Sequence, residues 1–355
     1  MKDLKKVVTV IGARPQFIKA AVVSRYFQEE ASIEEIIVHT GQHYDRNMSE
    51  VFFEQLQIPK PKYNLQVANL NHGAMTGQML EGIEEILINE KPDAVLVYGD
   101  TNSTLSAALA AKKLHIKLIH IEAGLRSFNM SMPEEINRIL TDRISDLLCC
   151  PTQGAMENLK LEGFDKFSSK IVLTGDIMKE SVDYFSQKTK AIYDFDYCLL
   201  TVHRQENTED RTRLTSIFKA MDKIAESIVV ICPLHPRTRK KMQEFGIESK
   251  VTFIDPADYV KMQSLIHFSE IVITDSGGLQ KEAYFHKRFC IVLRDQTEWT
   301  ELLSEGYAKL AGANKNSIIA SYQEFMDLEM DMDSSLYGDQ VGSKIFTEIK
   351  NLLWE

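Results

Sequence analysis

Short, continuous apolar runs alternate with longer amphipathic segments along almost the whole chain. Runs such as Ala94–Tyr98 are β-branched or aromatic, whereas segments such as Thr101–Leu114 have the spacing of helices. Continuous apolar strands separated by helices are typical of parallel sheets covered on both faces, so the pattern predicts an α/β protein with doubly wound sheets. The strands are expected at Val7–Ile11, Ile36–Thr40, Ala94–Tyr98, Leu118–Glu122, Leu147–Cys150, Ile171–Thr174, Cys198–Val202, Ile228–Cys232, Val251–Ile254, Ile271–Thr274 and Cys290–Leu293.

This number of strands indicates two domains, because twisted open sheets rarely grow so large. The segment Phe185–Tyr197 interrupts the alternation with charged and aromatic residues. We therefore predict an N-terminal Rossmann-like domain at 1–188, a C-terminal Rossmann-like domain at 189–335, and a closing C-terminal helix within 336–355. Two such halves facing one another would leave a cleft at the carboxyl ends of their strands, where open α/β sheets bind ligands.

Composition narrows the possible partners. With 51 acidic and 41 basic residues, the chain carries a formal charge of −10, which argues against nucleic acid or an anionic membrane as a partner. No run approaches the roughly 18 apolar residues of a membrane helix, and the first apolar run is too short for a signal peptide, so a cytoplasmic protein is expected. No cluster with metal-ligand spacing is present, and no metal is expected. The five cysteines are expected to be buried free thiols: Cys149, Cys150, Cys198, Cys232 and Cys290.

Polar residues directly follow the predicted strands, and they are the candidates for a site at that edge of the sheets. The carboxyl ends of parallel strands meet at one edge, so these side chains are expected to lie near one another. The candidates in the first half are Arg14, Lys19, Asp100, His120, Glu122 and Arg126. The candidates in the second half are His203, Arg204, His235, Arg237, Asp275, Ser276 and Glu282.

The segment "DSGGLQKEA" is the strongest phosphate-binding pattern. Ser276, Gly277 and Gly278 would expose backbone N–H groups at a helix N-terminus, which favours an anion. An ordinary helix cap by Asp275 or Ser276 explains the same residues equally well. The opening loop "GARP" has a single glycine, so Arg14 would offer a side-chain contact there, with a solvated surface arginine as the alternative.

Three acids suggest proton transfer. Asp100 and Glu122 follow predicted strands, and Glu134 begins the helix "PEEINR". Carboxyl groups gathered at a cleft suit general acid and base catalysis. His203 follows an apolar strand and precedes an arginine, which suits an imidazole that faces a phosphate or a leaving oxygen.

Each acid also has a structural explanation. Asp100 could cap the helix that begins near Thr101. Glu134 and Glu135 could complement the dipole of their helix, aided by an ion pair between Glu134 and Arg138 four residues later.

Taken together, the segments "GARPQFIK", "GDTNS", "HIEAGLRS", "PEEINRILTD", "TVHRQEN", "DSGGLQKEA" and "RDQTEW" resemble the non-hydrolysing UDP-N-acetylglucosamine 2-epimerases. The match runs from Val7 to about Leu310, with the motifs in family order. The resemblance implies two Rossmann-like domains arranged as in GT-B glycosyltransferases, with the nucleotide held mainly by the second. It also implies inversion of C2 of a UDP-2-acetamido sugar through elimination of UDP to a glycal, without a cofactor, for surface polysaccharide precursors.

The resemblance also implies residue roles. It implies a homodimer, and in some members a second, activating UDP-sugar near the loop that matches Gln42 and His43. It implies catalytic roles for Asp100, Glu122, Glu134 and His203. It implies that UDP is held by Arg14, Lys19, His203, Ser276, Gly277, Gly278 and Glu282, with Glu282 on the ribose hydroxyls.

Two positions depart from the family pattern. Gln16 stands where typical members have an acid, and Trp299 stands where they have an arginine. These variations resemble the branch that acts on UDP-2,3-diacetamido-2,3-dideoxyglucuronic acid. A carboxylated sugar requires a cation, and Arg126, Arg138 and Arg294 are the candidates.

Three other functions are open at this point. A GT-B glycosyltransferase would share the fold but need an acceptor, because fold alone does not fix function. A hydrolysing UDP-sugar 2-epimerase would release UDP and free sugar. A catalytically silent UDP-sugar sensor would need the phosphate contacts but not the three acids together.

Overall fold

The computed structural model describes residues 4–42, 53, 56, 58–328 and 334–355. The chain divides into two compact units by its internal contacts. The first unit comprises Met1–Ser181 and Ser335–Glu355, and the second comprises Val182–Ser334. Each unit is built around its own parallel sheet.

The described part of the first unit contains a sheet of seven parallel strands in the order β3-β2-β1-β4-β5-β6-β7. Its strands are β1 (Lys5–Ile11), β2 (Ile33–His39), β3 (Tyr63–Asn64), β4 (Ala94–Tyr98), β5 (Lys117–Ile121), β6 (Leu147–Cys150) and β7 (Lys170–Leu173). Its helices are α1 (Arg14–Glu29), α2 (His72–Glu90), α3 (Asn102–Lys113), α4 (Pro133–Ile144), α5 (Gln153–Leu161) and α6 (Ile177–Ser186), which runs into the second unit, with a 3₁₀ turn at Phe164–Lys166.

The described part of the second unit has six parallel strands in the order β10-β9-β8-β11-β12-β13. They are β8 (Tyr197–Thr201), β9 (Val229–Pro233), β10 (Thr252–Ile254), β11 (Ile271–Thr274), β12 (Phe289–Val292) and β13 (Ala308–Leu310). Its helices are α7 (Gln205–Thr208), α8 (Arg211–Ile224), α9 (Pro236–Phe245), α10 (Tyr259–His267), α11 (Gly277–Phe285), α12 (Thr300–Ser304) and α13 (Lys315–Met326).

The last described helix, α14 (Val341–Trp354), returns to the first unit and packs against α1. The ring of Phe346 stacks on Tyr26 with 5.6 Å between centroids. Lys350 donates to Glu30 at 2.5 Å. Helix α14 therefore belongs to the first unit, although it follows the second unit in sequence.

Each sheet reverses its strand order once, and this reversal fixes where the polar loops lie. In the first unit the chain builds outward from β1 through β2 and β3, and then continues from β4 on the other side. In the second unit the same reversal occurs between β8 and β11. In sheets of this kind the loops after such a strand pair diverge, and the crevice at the carboxyl edge is the usual ligand position.

The prediction of two parallel α/β sheets is confirmed, and all eleven predicted strands are present. The strands β3, with two residues, and β13, with three, are not among the predicted strands. Both lie at sheet edges. The five cysteines are buried and free, as predicted. Among the residues that the structure describes, none of the helices combines the length and the apolar character needed to cross a bilayer.

Strand β2 carries an acid inside the first unit. Glu35 accepts a hydrogen bond from the Thr9 hydroxyl of β1 at 2.6 Å. Burial raises the pKa of Glu35 to about 7, and the bond from Thr9 offsets only part of that effect. The folded state therefore keeps this proton to a higher pH than the unfolded chain does.

This difference predicts a pH-dependent stability. From the ordinary pKa of 4.5 up to about 7, the unfolded chain has lost the Glu35 proton while the folded chain retains it, so the free energy of unfolding should fall as the pH rises. Glu35→Gln should flatten this decrease in urea unfolding measured across the range. Glu34→Gln, at the exposed neighbouring position, is the control, and an equal slope in the Glu35→Gln variant would contradict the assignment.

Candidate functional site

Asp100 lies in the turn between β4 and α3, and its carboxylate does not cap the helix. Thr101 is the N-cap of α3, and its side chain accepts from the Thr104 N–H. The Asp100 carboxylate instead binds the Arg138 guanidinium of α4 at 2.5 Å. The alternative that Asp100 serves as the helix cap is therefore wrong, because Thr101 fills that position.

Glu122 lies directly after β5 and adopts a left-handed backbone conformation with φ of 72°. This conformation is costly for any residue that carries a Cβ atom, and it is found mainly where surrounding contacts enforce it. The Glu122 carboxylate forms an ion pair with Lys19 of α1. A Cβ atom at Gly99 would lie 3.2 Å from Glu122 Oε2, so the turn that carries Asp100 approaches this carboxylate closely.

The two acids and two cations form one charged cluster. Burial raises the pKa of Asp100; the Arg138 charge opposes this rise, and the Glu122 charge adds to it. Glu122 is held by Lys19, whereas Asp100 is held by Arg138. The cluster therefore contains two carboxyl groups in unequal surroundings, an arrangement that suits one proton donor and one proton acceptor.

Glu134 and Glu135 are adjacent in the first turn of α4 but have opposite surroundings. Glu134 is exposed, and no ion pair of its side chain is found in the described part of the chain. The Glu135 carboxylate is buried and accepts the N–H groups of Ser127 and Phe128, both at 2.9 Å. It also binds Arg138 at 2.9 Å, so the expected pair between Glu134 and Arg138 is replaced by one with Glu135.

Asp142 joins the strand that precedes Glu122 to the loop that follows it. His120 of β5 places Nδ1 2.7 Å from Asp142 Oδ1 and Nε2 2.7 Å from the Gly99 carbonyl oxygen. The other Asp142 oxygen accepts the Gly124 N–H at 3.0 Å. His120 and Asp142 are thus bound into the frame of the site. The spacing of Glu135, Arg138 and Asp142 on one face of α4 is the sequence signal that could have found Asp142.

Arg126 belongs to this frame as well. Its Nη1 donates to Asp142 at 2.7 Å, and its Nε and Nη2 donate to the two oxygens of Glu162 at 2.7 and 2.8 Å. Its side chain is only 1% exposed. The guanidinium is therefore covered by two carboxylates of the same unit. Arg138 differs, because 10% of its side chain is accessible beside Asp100.

The loop after β1 is held by Gln16 of α1. The side-chain oxygen of Gln16 accepts the N–H of Gly12 at 2.8 Å, and its amide nitrogen donates to the Tyr98 carbonyl at 2.8 Å and to Thr101 Oγ1 at 3.0 Å. The buried amide thus ties the loop after β1 to the turn after β4. Arg14, the first residue of α1 and two residues before Gln16, is half-buried.

One further segment was expected to contact an activating sugar. The side-chain oxygen of Gln42 accepts the Ser103 N–H at 3.1 Å, which places Gln42 at the start of α3. His43 lies outside the described residues.

Asp275 organises the equivalent edge of the second unit. Its fully buried carboxylate accepts the N–H groups of His203 and Arg204 at 3.0 and 2.9 Å, and the Asn207 amide at 3.2 Å. Asp275 therefore ties the loop after β8 to the loop after β11 and does not cap α11. Ser276 occupies the N-cap position, without a side-chain capping bond.

The imidazole of His203 lies next to Asp275, with Nδ1 3.3 Å from Asp275 Oδ1. Burial lowers the pKa of His203, and the Asp275 charge opposes this effect. The ring centre of His235 lies 5.9 Å away, and its Nδ1 accepts the Arg237 N–H. The imidazole of His203 is half-buried and retains an accessible side.

The N-terminus of α11 is closely packed on one side. A Cβ atom at Gly277 would lie 2.5 Å from Glu298 Oε1, so a larger residue there would require the Glu298 side chain to move. At Gly278 the same atom would meet nothing within 4 Å, which leaves open space over the first turn. Glu298 is neutralised by Arg294 at 2.9 Å, and 10% of the Arg294 side chain is accessible.

Trp299, which the resemblance aligns with a family arginine, supports the same turn. Its indole N–H donates to the Gly277 carbonyl at 2.9 Å. The ammonium of Lys281 lies 3.8 Å above the centre of the indole ring, a cation–π contact. A cation therefore remains next to this position, although it comes from α11. Glu282, the next residue of α11, is buried and accepts from Gln263 at 3.0 Å.

Comparisons with known proteins, by sequence and by structure, all point to one family. The sequence model of a family described as UDP-N-acetylglucosamine 2-epimerase matches residues 25–350. The chain is 52% identical over 346 residues to a Pseudomonas aeruginosa protein named UDP-2,3-diacetamido-2,3-dideoxy-D-glucuronate 2-epimerase, and the match covers 96% of this chain and 98% of that protein.

Solved structures agree with this similarity. The Methanocaldococcus jannaschii UDP-GlcNAc 2-epimerase in complex with UDP-GlcNAc and UDP superposes with a TM-score of 0.85 at 37% identity, covering 98% of this chain and 99% of that one. The Neisseria meningitidis UDP-GlcNAc 2-epimerase bound to UDP-GlcNAc superposes with a TM-score of 0.87 at 31% identity, covering 99% and 100%.

The contrast between Glu134 and Glu135 predicts different effects of the same substitution. Glu135→Gln should lower the free energy of unfolding by about 3 kcal/mol, because it leaves Arg138 and two backbone donors poorly paired. Glu134→Gln should change it by less than about 0.5 kcal/mol. Urea unfolding followed by circular dichroism measures both. Equal effects of the two substitutions would contradict the assignment of Glu135 as a structural acid and of Glu134 as an acid without a structural role.

Proposed function

Because the chain belongs to the UDP-N-acetylglucosamine 2-epimerase family and is an isomerase, we propose that it inverts C2 of a UDP-2-acetamido sugar by eliminating and re-adding UDP. The observation that carries the proposal is the charged cluster of Asp100, Glu122, Lys19 and Arg138 at the carboxyl edge of the first sheet. Direct removal of the C2 proton has no adjacent carbonyl to accept the electrons. Elimination avoids this difficulty.

The two carboxyl groups support a division of the proton transfers. In the proposed reaction a base takes the C2 proton, the C1–oxygen bond to UDP breaks, and the electron pair forms the C1–C2 double bond of a glycal. Protonation of C2 on the opposite face and re-addition of UDP then give the epimer. The raised pKa of Asp100 suits the proton donor, and the ammonium of Lys19 stabilises a carboxylate base at Glu122. Glu134 is exposed and is proposed as a further stabilising acid.

The second unit is proposed to bind the nucleotide. The departing diphosphate is an anion, and the N-terminus of α11 suits an anion, with Ser276 as the N-cap and Gly277 and Gly278 as the first two helical residues. His203 adds an imidazole beside the same edge. Arg14 and Lys19 are proposed to contribute cations from the first unit, and Glu282 to bind the ribose hydroxyls.

The similarity to the Pseudomonas aeruginosa protein favours UDP-2,3-diacetamido-2,3-dideoxyglucuronate over UDP-N-acetylglucosamine as the substrate. Its sugar carboxylate requires a cation. Arg126 is covered by Asp142 and Glu162, whereas Arg138 and Arg294 have accessible side chains. Both are already paired, Arg138 with Asp100 and Arg294 with Glu298. We assign the sugar carboxylate to Arg294, because drawing Arg138 away would unpair Asp100, a proposed catalytic acid. The proposal also includes a homodimer and a second, activating UDP-sugar near Gln42.

Loss of the proposed base should stop the chemistry without preventing nucleotide binding. Glu122→Gln should reduce C2 deuterium incorporation in D₂O by about 10²-fold or more, measured by NMR with both UDP-sugars. UDP affinity should stay within about threefold. Glu157→Gln, at an exposed position of α5, is the control.

The wild-type protein distinguishes the alternatives in the same experiment. Absence of deuterium incorporation with both sugars would refute epimerisation. Consumption only with an added acceptor would indicate a glycosyltransferase, release of UDP with free sugar would indicate a hydrolysing enzyme, and binding without turnover would indicate a sensor.

The cation assignment predicts a substrate-specific effect. Arg294→Gln should raise KM for the diacetamido uronic sugar by roughly tenfold or more, because a charged hydrogen bond to the sugar is lost, and should affect UDP-N-acetylglucosamine far less. Arg213→Gln removes an ion pair with Asp295 in the same unit and is the control. An equal rise in KM for both sugars would place Arg294 on the shared diphosphate.

A further inference from the structure

A chain of hydrogen bonds runs behind Glu282 in the second unit. The Gln263 amide nitrogen lies 3.0 Å from Glu282 Oε2, and the Gln263 amide oxygen lies 2.7 Å from His286 Nε2. His286 Nδ1 lies 3.2 Å from His267 Nδ1. Gln263, Glu282 and His286 are buried, with exposures of 0%, 6% and 5%. The chain joins α10 to α11.

The chemistry of the atoms fixes the direction of every bond in this chain. A carboxylate only accepts, so the Gln263 amide nitrogen must face Glu282 and donate to it. The Gln263 oxygen can then only accept, so His286 donates from Nε2. A neutral His286 has Nδ1 free as an acceptor, and His267 therefore donates from its own Nδ1.

The surroundings of His286 agree with this direction. Burial lowers the pKa of His286 to about 3, with the charges of His267 and Arg288 adding to the effect, so the ring is neutral at ordinary pH. The far end of the chain is anchored as well. Arg288 donates from Nη2 to the His267 carbonyl at 2.7 Å. Both ends of the hydrogen-bond chain are thus fixed. Arg288 binds the backbone carbonyl of His267 at one end, and the Glu282 carboxylate accepts from Gln263 at the other.

We infer that Gln263 and His286 are positioning residues that orient the Glu282 carboxylate for the ribose hydroxyls of the nucleotide. The inference rests on the proposed nucleotide role of Glu282. A buried carboxylate on one helix could rotate about its side-chain bonds, and the Gln263 amide, supplied by another helix and locked by His286, restricts that rotation. Pre-organisation of this kind improves binding without adding a contact to the ligand.

The test is a comparison of two nucleotides. Isothermal titration calorimetry with UDP and with 2′,3′-dideoxy-UDP gives the preference for the ribose hydroxyls as a ratio of dissociation constants. Glu282→Ala should reduce this ratio to near one. Gln263→Leu should reduce it by about fivefold or more by weakening UDP binding, and should leave the affinity for dideoxy-UDP unchanged. In the Gln263→Leu, Glu282→Ala double variant the ratio should fall no further than with Glu282→Ala alone.

Two further variants separate positioning from packing. His286→Leu should lower the ratio, whereas His286→Gln, whose amide can donate the same bond to Gln263, should keep most of it. Gln280→Leu is the matched control, because Gln280 is a fully buried glutamine of α11 outside the chain, bound to Thr297 at 2.6 Å. It should not change the ratio. The His286 pair also provides the test if Gln263→Leu fails to fold.

The outcomes distinguish this inference from the proposed function. An unchanged ratio in Glu282→Ala would refute the ribose role of Glu282 itself. A lowered ratio in Glu282→Ala, with an unchanged ratio in Gln263→Leu and His286→Leu, would overturn only the positioning role. Equal losses of affinity for both nucleotides in Gln263→Leu would likewise overturn it, since they would indicate general damage to the unit.

Discussion

The buried carboxylate of Asp142 is the constraint on which the acid-bearing edge of the first unit depends. It holds His120 of β5, the Gly124 backbone and Arg126 at once, with contacts of 2.7 to 3.0 Å. These anchors lie on both sides of Glu122 along the chain. They provide the framework in which Glu122 keeps a left-handed backbone, a conformation that costs on the order of 1–3 kcal/mol for a residue other than glycine.

In the second unit, too, a buried carboxylate binds the loops that follow the strands. Asp275 gathers backbone N–H groups from the loop after β8, as Asp142 gathers one from the loop after β5. In both cases the carboxylate replaces water as the partner of backbone donors at a strand end. The acids near these strand ends are therefore of two kinds. Asp142, Asp275 and Glu135 bind the protein's own backbone, whereas Asp100 and Glu122 form ion pairs with the long side chains of Arg138 and Lys19.

The strands could be predicted because each is a continuous apolar run, and the acids could be found because they follow those runs. The partners of the acids could not be predicted in the same way. Lys19 precedes Glu122 by 103 residues, and Arg138 follows Asp100 by 38, so only the folded topology brings them together. The helix-cap explanation of Asp100 failed because Thr101, one residue later, competes for the same position. Sequence patterns describe neighbours along the chain better than neighbours across a sheet.

The return of the C-terminal helix to the first unit has a consequence for the order of folding during synthesis. The second unit is continuous in sequence, from Val182 to Ser334, whereas the first unit needs residues from both ends of the chain. Tyr26 can meet its stacking partner Phe346 only after the whole of the second unit has been synthesised. Domains usually complete their folding in the order of their synthesis. Here the face of α1 that packs against α14 stays uncovered until the second unit and α14 have both been synthesised.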